Sequence, residues 1–158
     1  MAIKILRKKN YLTMIENSLK GPNYLFRNFY VEENGQEKDV LENGGLSCAV
    51  VVSSILYLCN PILEFSGKPK WLNLTHANVL STEKDMQKSG WYEIKDLRLG
   101  AVLVWEKKDS HKHIGFCIGN NMAVSNDSHT GFPWKHHYTY DGTRKIEKIY
   151  WHLELDEE

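Results

Sequence analysis

Two residues of this chain, Cys48 and His113, have the types and settings to form a nucleophile and its base. Cys48 opens the apolar run Cys48-Ala49-Val50-Val51-Val52-Ser53-Ser54-Ile55-Leu56-Tyr57-Leu58-Cys59, which follows Gly44-Gly45-Leu46-Ser47 and is closed by Asn60-Pro61. The valines alone would suit a strand. The length of the run and its flanking Gly-Gly and Asn-Pro predict a buried helix, with Ser47 as its N-cap. A thiol one residue inside a helix start meets unpaired backbone N–H groups and the positive end of the helix dipole, so its pKa is expected to fall. The same N–H groups would hold an oxyanion formed by attack at Cys48. Ser47 and Ala49, flanking the sulfur, are expected on the substrate-binding side. Without a partner, a free cysteine is more often a small buried hydrophobe.

The other two thiols serve as controls. Cys59 would lie about 16 Å along the same helix, near its C-terminal end, where the dipole opposes a thiolate. Cys117 would lie roughly 13 Å along the strand of His113, too far to pair with it.

His113 is expected to begin the strand His113-Ile114-Gly115-Phe116-Cys117-Ile118-Gly119, with His113, Gly115 and Cys117 on one face and Ile114, Phe116 and Ile118 on the other. A base of this kind needs a group to orient its far nitrogen. The returning strand offers Ser125, Asn126 and Asp127. A two-residue turn after Gly119 places Asn126 on the face of His113; a three-residue turn places Ser125 and Asp127 there, with Met122 and Val124 opposite Ile118 and Phe116. Asn126 is the expected third catalytic residue, because an amide oxygen fixes the tautomer without adding charge; Asp127 and Ser125 are the alternatives.

The elements that must position these groups change character along the chain. Tyr11, Leu12, Ile15 and Leu19 recur at helical spacing until Gly21-Pro22 stops them, residues 32–45 read as a loop, and Thr75 could cap a helix from about His76 to Ser89. Short strands follow at Ala101–Trp105, His113–Ile118, Met122–Ser125, His137–Tyr140 and Ile146–Trp151, separated by Gly, Asn, Asp and Pro. The expectation is one α+β domain over 1–158, with N-terminal helices packed on a C-terminal antiparallel sheet.

The ordered segments Gly-Gly-Leu-Ser-Cys48-Ala, Leu99-Gly100-Ala101-Val102-Leu103-Val104-Trp105 and His113-Ile114-Gly115-Phe116-Cys117-Ile118-Gly119-Asn120 resemble the NlpC-type and CHAP-type papain-fold cysteine peptidases and amidases. The resemblance spans about Tyr24 to Asn126. It implies a papain-like fold, a Cys–His–polar triad, a thioester intermediate, amide hydrolysis in peptides such as those of bacterial cell walls, and no cofactor or metal. Tyr24 looks like the family tyrosine that lies beside the nucleophile and binds substrate. The family usually has Asp-Cys-Ser-Gly where this chain has Ser47-Cys48-Ala49-Val50, and Gly-Asp where it has Gly100-Ala101. Its third polar residue is often His; by count Ser125 falls there.

Composition narrows the alternatives. Acidic and basic residues balance to zero net charge, which argues against nucleic acid or an anionic membrane as partner and for a substrate met in a cleft. The odd cysteine count disfavours a disulfide framework. The basic N-terminus lacks an apolar signal core, and no stretch reads as long enough to span a bilayer; a cytoplasmic protein is expected, with release by lysis or non-standard export compatible. His111, His113, His129, His136, His137 and Cys117 could serve a metal, but without ligand spacing of a known type. The five tryptophans could line a groove in a non-catalytic peptide- or sugar-binding module. A thiol acyltransferase would keep the Cys–His pair and pass its thioester to another acceptor.

Overall fold

The computed structural model describes residues 3–156; the first two and last two residues of the domain expected over 1–158 lie outside the described residues. Helix α1 (Arg7–Asn17) buries Tyr11 and Ile15, and the Tyr11 hydroxyl donates to the Gly100 carbonyl at 2.9 Å. Residues 32–45, read as a loop, instead contain most of a hairpin, β1 (Tyr30–Glu33) and β2 (Gln36–Asp39). Its turn is Asn34-Gly35, with φ of 54° and 76°, the pair of left-handed conformations that lets a two-residue turn follow strand twist.

Helix α2 (Cys48–Leu58) forms as expected. Ala49, Val51, Val52, Ser53, Ile55 and Leu56 are buried, which explains a helix that is apolar almost all round. It lies against the strands that carry the site and against its helical neighbours. Asn60-Pro61 ends it by starting a separate short helix, α3 (Asn60–Phe65), in which proline takes a first-turn position where no N–H is needed. The stretch Cys48–Phe65 does have the length and composition of a membrane span, with a mean hydropathy of 1.7, contrary to the expectation that none does. Here it is two helices with half of the stretch buried inside the fold.

Helix α4 (Val79–Lys88) starts three residues later than expected. Asn78, not Thr75, caps it, accepting from the Ser81 N–H at 3.1 Å. Six strands then form one antiparallel sheet in the order β3-β8-β4-β5-β6-β7, with β3 Tyr92–Ile94, β4 Val102–Lys108, β5 His111–Gly119, β6 Met122–Asn126, β7 Pro133–His137 and β8 Ile146–Trp151. The mixed α+β class and the antiparallel sheet therefore stand. His113 is the third residue of β5 rather than its first, and the strand expected at His137–Tyr140 does not form: β7 ends at His137, and the chain then turns, with Tyr140 and Asp141 at positive φ.

Register at the β5–β6 hairpin decides which polar residue meets His113. The turn is Asn120-Asn121, pairing Gly119 with Met122, yet Cys117 pairs with Ala123 and Phe116 with Val124. Ile118 is thus an extra residue in β5, a bulge that shifts the ladder by one and reverses which side chains share a face. Gly115 faces Ser125 directly, and Trp105 of β4 faces His113. A Cβ on Gly115 would come within 2.8 Å of Ser125 Cβ and 3.0 Å of Trp105 Cζ3. Gly115→Ala should therefore cost about 1–3 kcal/mol by overpacking, read from urea unfolding; unchanged stability would show that the sheet accommodates a methyl there.

Candidate active site

The loop before Cys48 is organised by a carboxylate. Asp39 accepts the backbone N–H groups of Phe29, Leu41 and Asn43 at 2.9, 3.1 and 2.8 Å, and the Asn28 amide at 2.7 Å. From there the chain passes Gly44, which lies so close to Gly131 that a Cβ would sit 2.6 Å from its Cα. Asn126 Nδ2 donates to the Gly44 carbonyl at 2.7 Å. These ties bring the chain to Ser47 and so deliver Cys48 as the first residue of α2.

Cys48 and His113 line one cleft of about 850 Å³, together with Asn126, Trp134, Tyr140 and Arg144. The thiol is half-buried and free, as are the buried Cys59 and Cys117. Burial pushes the Cys48 thiol up; the backbone N–H groups of Ile114, Ala49 and Cys48 and the charge of Arg144 act against this without reversing it. The expected lowering is therefore overturned: desolvation outweighs the helix start. Burial alone pushes Cys59 to about 12.

The imidazole is shifted the other way. Burial holds His113 down to about 3, assisted by Arg144 and His136 and opposed by Asp127. Thiol and imidazole thus rest as a neutral pair, not as thiolate and imidazolium.

His113 Nε2 is 2.8 Å from Ser125 Oγ. The same oxygen lies 2.7 Å from His136 Nε2 and 2.9 Å from the Tyr140 hydroxyl. Asn126 is therefore not the residue on the histidine. The Ile118 bulge turns Ser125 to that face and leaves Asn126 to hold Gly44, with its own Oδ1 buried and unpartnered.

Proton accounting fixes the tautomers. His136 Nδ1 lies 2.8 Å from the His137 carbonyl, which can only accept, so Nδ1 carries the proton. Burial keeps His136 neutral at physiological pH by lowering its pKa, so its Nε2 must accept, and the Ser125 hydroxyl donates to it. A serine has one proton to give and two lone pairs. Its oxygen then accepts from the Tyr140 hydroxyl and from His113 Nε2–H. The free lone pair of neutral His113 is on Nδ1, which makes no hydrogen bond among the described residues. That nitrogen is the one free to accept a proton.

The other expected residues are placed as follows. Ala49 lines the cleft and its N–H is one of those directed at the sulfur. Ser47 is fully buried outside the lining, and its hydroxyl neither caps α2 nor finds a partner, so it is not presented to substrate. Tyr24 also lies outside the lining. It is exposed, edge-on to Phe132 at 5.3 Å, with the Arg27 guanidinium 4.4 Å from that same Phe132 ring, a cluster anchored on the β6–β7 connection by the Arg27 bond to the Thr130 carbonyl. The aromatic hydroxyl of the site is Tyr140, whose ring stacks on His136 at 4.0 Å and whose pKa burial raises to about 12. Alternation along β7 places Trp134 and His136 on one face, a signal that would have made His136 a candidate once Ser125 was opposite Trp134. Nothing in the sequence pointed to Tyr140 or Arg144, which come from an irregular turn. Among the described residues no group of three metal-ligating side chains converges. No protein-family model matches the chain, and no curated protein matches it.

The shifted histidine makes acid stability a direct test. The unfolded chain titrates His113 near 6.5 and the folded protein near 3, so between those values the unfolded state binds more protons. The stabilisation is complete above about pH 6.5 and is lost as pH falls toward 3. His113→Gln should flatten the fall in stability over this window, measured by urea unfolding at stepped pH; an equal fall in the variant would contradict the burial of a neutral ring. Asn126→Ala should cost about 1–3 kcal/mol by orphaning the buried Gly44 carbonyl. Loss of turnover without loss of stability would instead return Asn126 to the chemistry.

Proposed function

We propose that the protein is a cysteine-nucleophile hydrolase of amide bonds in peptides, built on a papain-like fold of the NlpC or CHAP type and acting on peptides such as those of bacterial cell walls. The observation that carries this reading is the shared Ser125 oxygen, which takes up His113 Nε2–H and leaves the Nδ1 lone pair free in the cleft that Cys48 also lines.

In the proposed cycle the substrate enters the cleft and excludes water. The Cys48 proton passes to His113 Nδ1 as sulfur attacks the carbonyl carbon. The carbonyl π electrons move to oxygen, where the N–H groups at the start of α2 and that of Ile114 are at hand to stabilise the charge. His113 becomes a cation only at this step, donating through Nε2–H to Ser125. Its Nδ1 proton then goes to the departing nitrogen, the C–N bond breaks and an S-acyl thioester remains. Water, deprotonated by His113, attacks that thioester and releases the acid, while sulfur recovers its proton.

A neutral resting pair separates charge only when substrate is bound. Activity should therefore depend on the pair rather than on a pre-formed thiolate. Cys48→Ala should lower cleavage by at least about 10³-fold with the fold intact, measured as new free amines from purified cell-wall peptides. Ser125→Ala should slow turnover by up to about 10²-fold, the low end of what general-base catalysis contributes, with KM near the parent value. Full activity in Cys48→Ala ends the nucleophile assignment.

A further inference from the structure

His136 reaches His113 through a single atom. Its Nε2 lies 2.7 Å from Ser125 Oγ, and that oxygen lies 2.8 Å from His113 Nε2. The hydroxyl between the two rings can donate and accept at once. At rest the protons of this chain all point one way: His113 Nε2–H to Ser125, and Ser125 O–H to His136 Nε2. The other nitrogen of His136 already bears hydrogen, which it donates to the His137 carbonyl at 2.8 Å. A carbonyl in place of the His136 ring would orient Ser125 equally well. An imidazole at that position can also take the serine proton, which a carbonyl cannot.

A proton added at His113 Nδ1 therefore has two placements, and each satisfies every hydrogen bond of the network. In the first, His113 is the cation and the chain is unchanged. In the second, the Nε2 proton of His113 moves to Ser125 Oγ while the Ser125 proton moves to His136 Nε2. One N–H and one O–H bond break, and one O–H and one N–H bond form. His113 is then neutral with hydrogen on Nδ1, Ser125 donates back to its Nε2, and Tyr140 still donates to the serine oxygen. His136 holds the charge, with Nδ1–H on the His137 carbonyl as before. The surroundings favour this second placement. Burial lowers both rings. Around His113 the Arg144 guanidinium adds to that lowering, as does His136 itself, and Asp127 opposes it. Around His136 the His137 carbonyl and the carboxylates of Asp127 and Asp141 favour a cation, against the His137 ring. The Tyr140 ring, stacked on His136 at 4.0 Å, presents its electron-rich face.

We propose that His136 is a positioning residue that takes over the charge of the base: as a proton enters at His113 Nδ1, a second is delivered through Ser125 to His136, and both shift back when the leaving nitrogen is protonated. This rests on the reading of Cys48 as nucleophile and His113 as its base. The cation then spends the lifetime of the tetrahedral intermediate on the ring away from Arg144's influence on His113, and the ring facing the substrate remains neutral.

Imidazole nitrogen–proton NMR spectra of the labelled protein read this chain without any substrate, because they separate the two neutral tautomers from the cation. They are recorded from about pH 8 to about pH 4, across the histidine range. The expected signature joins two events in one step: His136 gains a proton on Nε2, and His113 changes from the Nε2–H to the Nδ1–H tautomer while staying neutral. Ser125→Ala should uncouple them. A His113 that becomes a cation first, or that keeps Nε2–H while His136 titrates, overturns the relay. His136→Gln supplies a second readout. Its amide oxygen can still accept from Ser125 and hold the resting tautomer of His113, which the same spectra check, but it takes no proton. With purified cell-wall peptides kcat should fall about 10–100-fold, at or below the low end of what acid–base catalysis contributes, with KM within about 2-fold of the parent. Should acid unfold the protein before His136 titrates, this kcat decides. Parent kcat in folded His136→Gln overturns the relay and leaves the nucleophile untouched. A coupled titration in the spectra, together with full activity in Cys48→Ala, overturns the nucleophile and with it the catalytic use of the relay. A wild-type protein without turnover on these peptides does the same.

Discussion

One hydroxyl oxygen holds the site together. Ser125 Oγ is shared by two imidazoles and a phenol within 2.7–2.9 Å, and a serine can satisfy three such partners in only one way when one imidazole is already committed to a carbonyl. The commitment of His136 to the His137 carbonyl runs through Ser125 to His113 and sets which of its nitrogens bears hydrogen. A buried network of this kind is either fully satisfied or costly. The surrounding structure is arranged for the first case. The Ile118 bulge turns Ser125 toward His113, Gly115 leaves room beside it, and the Tyr140 turn closes over His136.

The same burial that orders this network governs its charge. A helix start offers about half an elementary charge at its end. Removing a thiolate from water costs more than that, so Cys48 rises instead of falling. For His113 desolvation and the Arg144 cation act together, and the ring stays neutral down to about 3. Neutral partners need no counter-ion, and the guanidinium in the cleft wall further disfavours protonation of His113. Arg144 both disfavours a cation on His113 and favours an anion at Cys48.

Much of this was legible in the residues. The length and flanks of 46–61 gave a helix headed by Cys48, and alternation along 113–119 gave the face of His113. The hairpin at Asn34-Gly35 had the strongest local signal of its kind and went unread because its strands, Tyr-Val-Glu-Glu and Gln-Glu-Lys-Asp, are mostly polar and exposed. The choice among Ser125, Asn126 and Asp127 depended on a bulge, and a bulge of one isoleucine carries no glycine or proline to announce it. Tyr24 has the place of a family tyrosine in the sequence, whereas its side chain packs with Arg27 and Phe132 outside the cleft lining. Tyr140 and Arg144 flank the turn Asp141-Gly142-Thr143, where neither a period of two nor of 3.6 relates one side chain to another.

Asn126 shows why its neighbour in sequence cannot be read in isolation. Adjacent residues on a strand face opposite ways, so the bulge that turns Ser125 to the imidazole also turns Asn126 toward the loop that precedes Cys48. Its bond to Gly44 fixes the loop three residues before the N-cap of α2, while Ser125 fixes the His113 imidazole. Strand β6 therefore ties both the loop before Cys48 and the His113 imidazole from consecutive residues. A slip of one residue would lose both at once, so the register of β5 on β6 is the geometric condition on which any chemistry in this cleft rests.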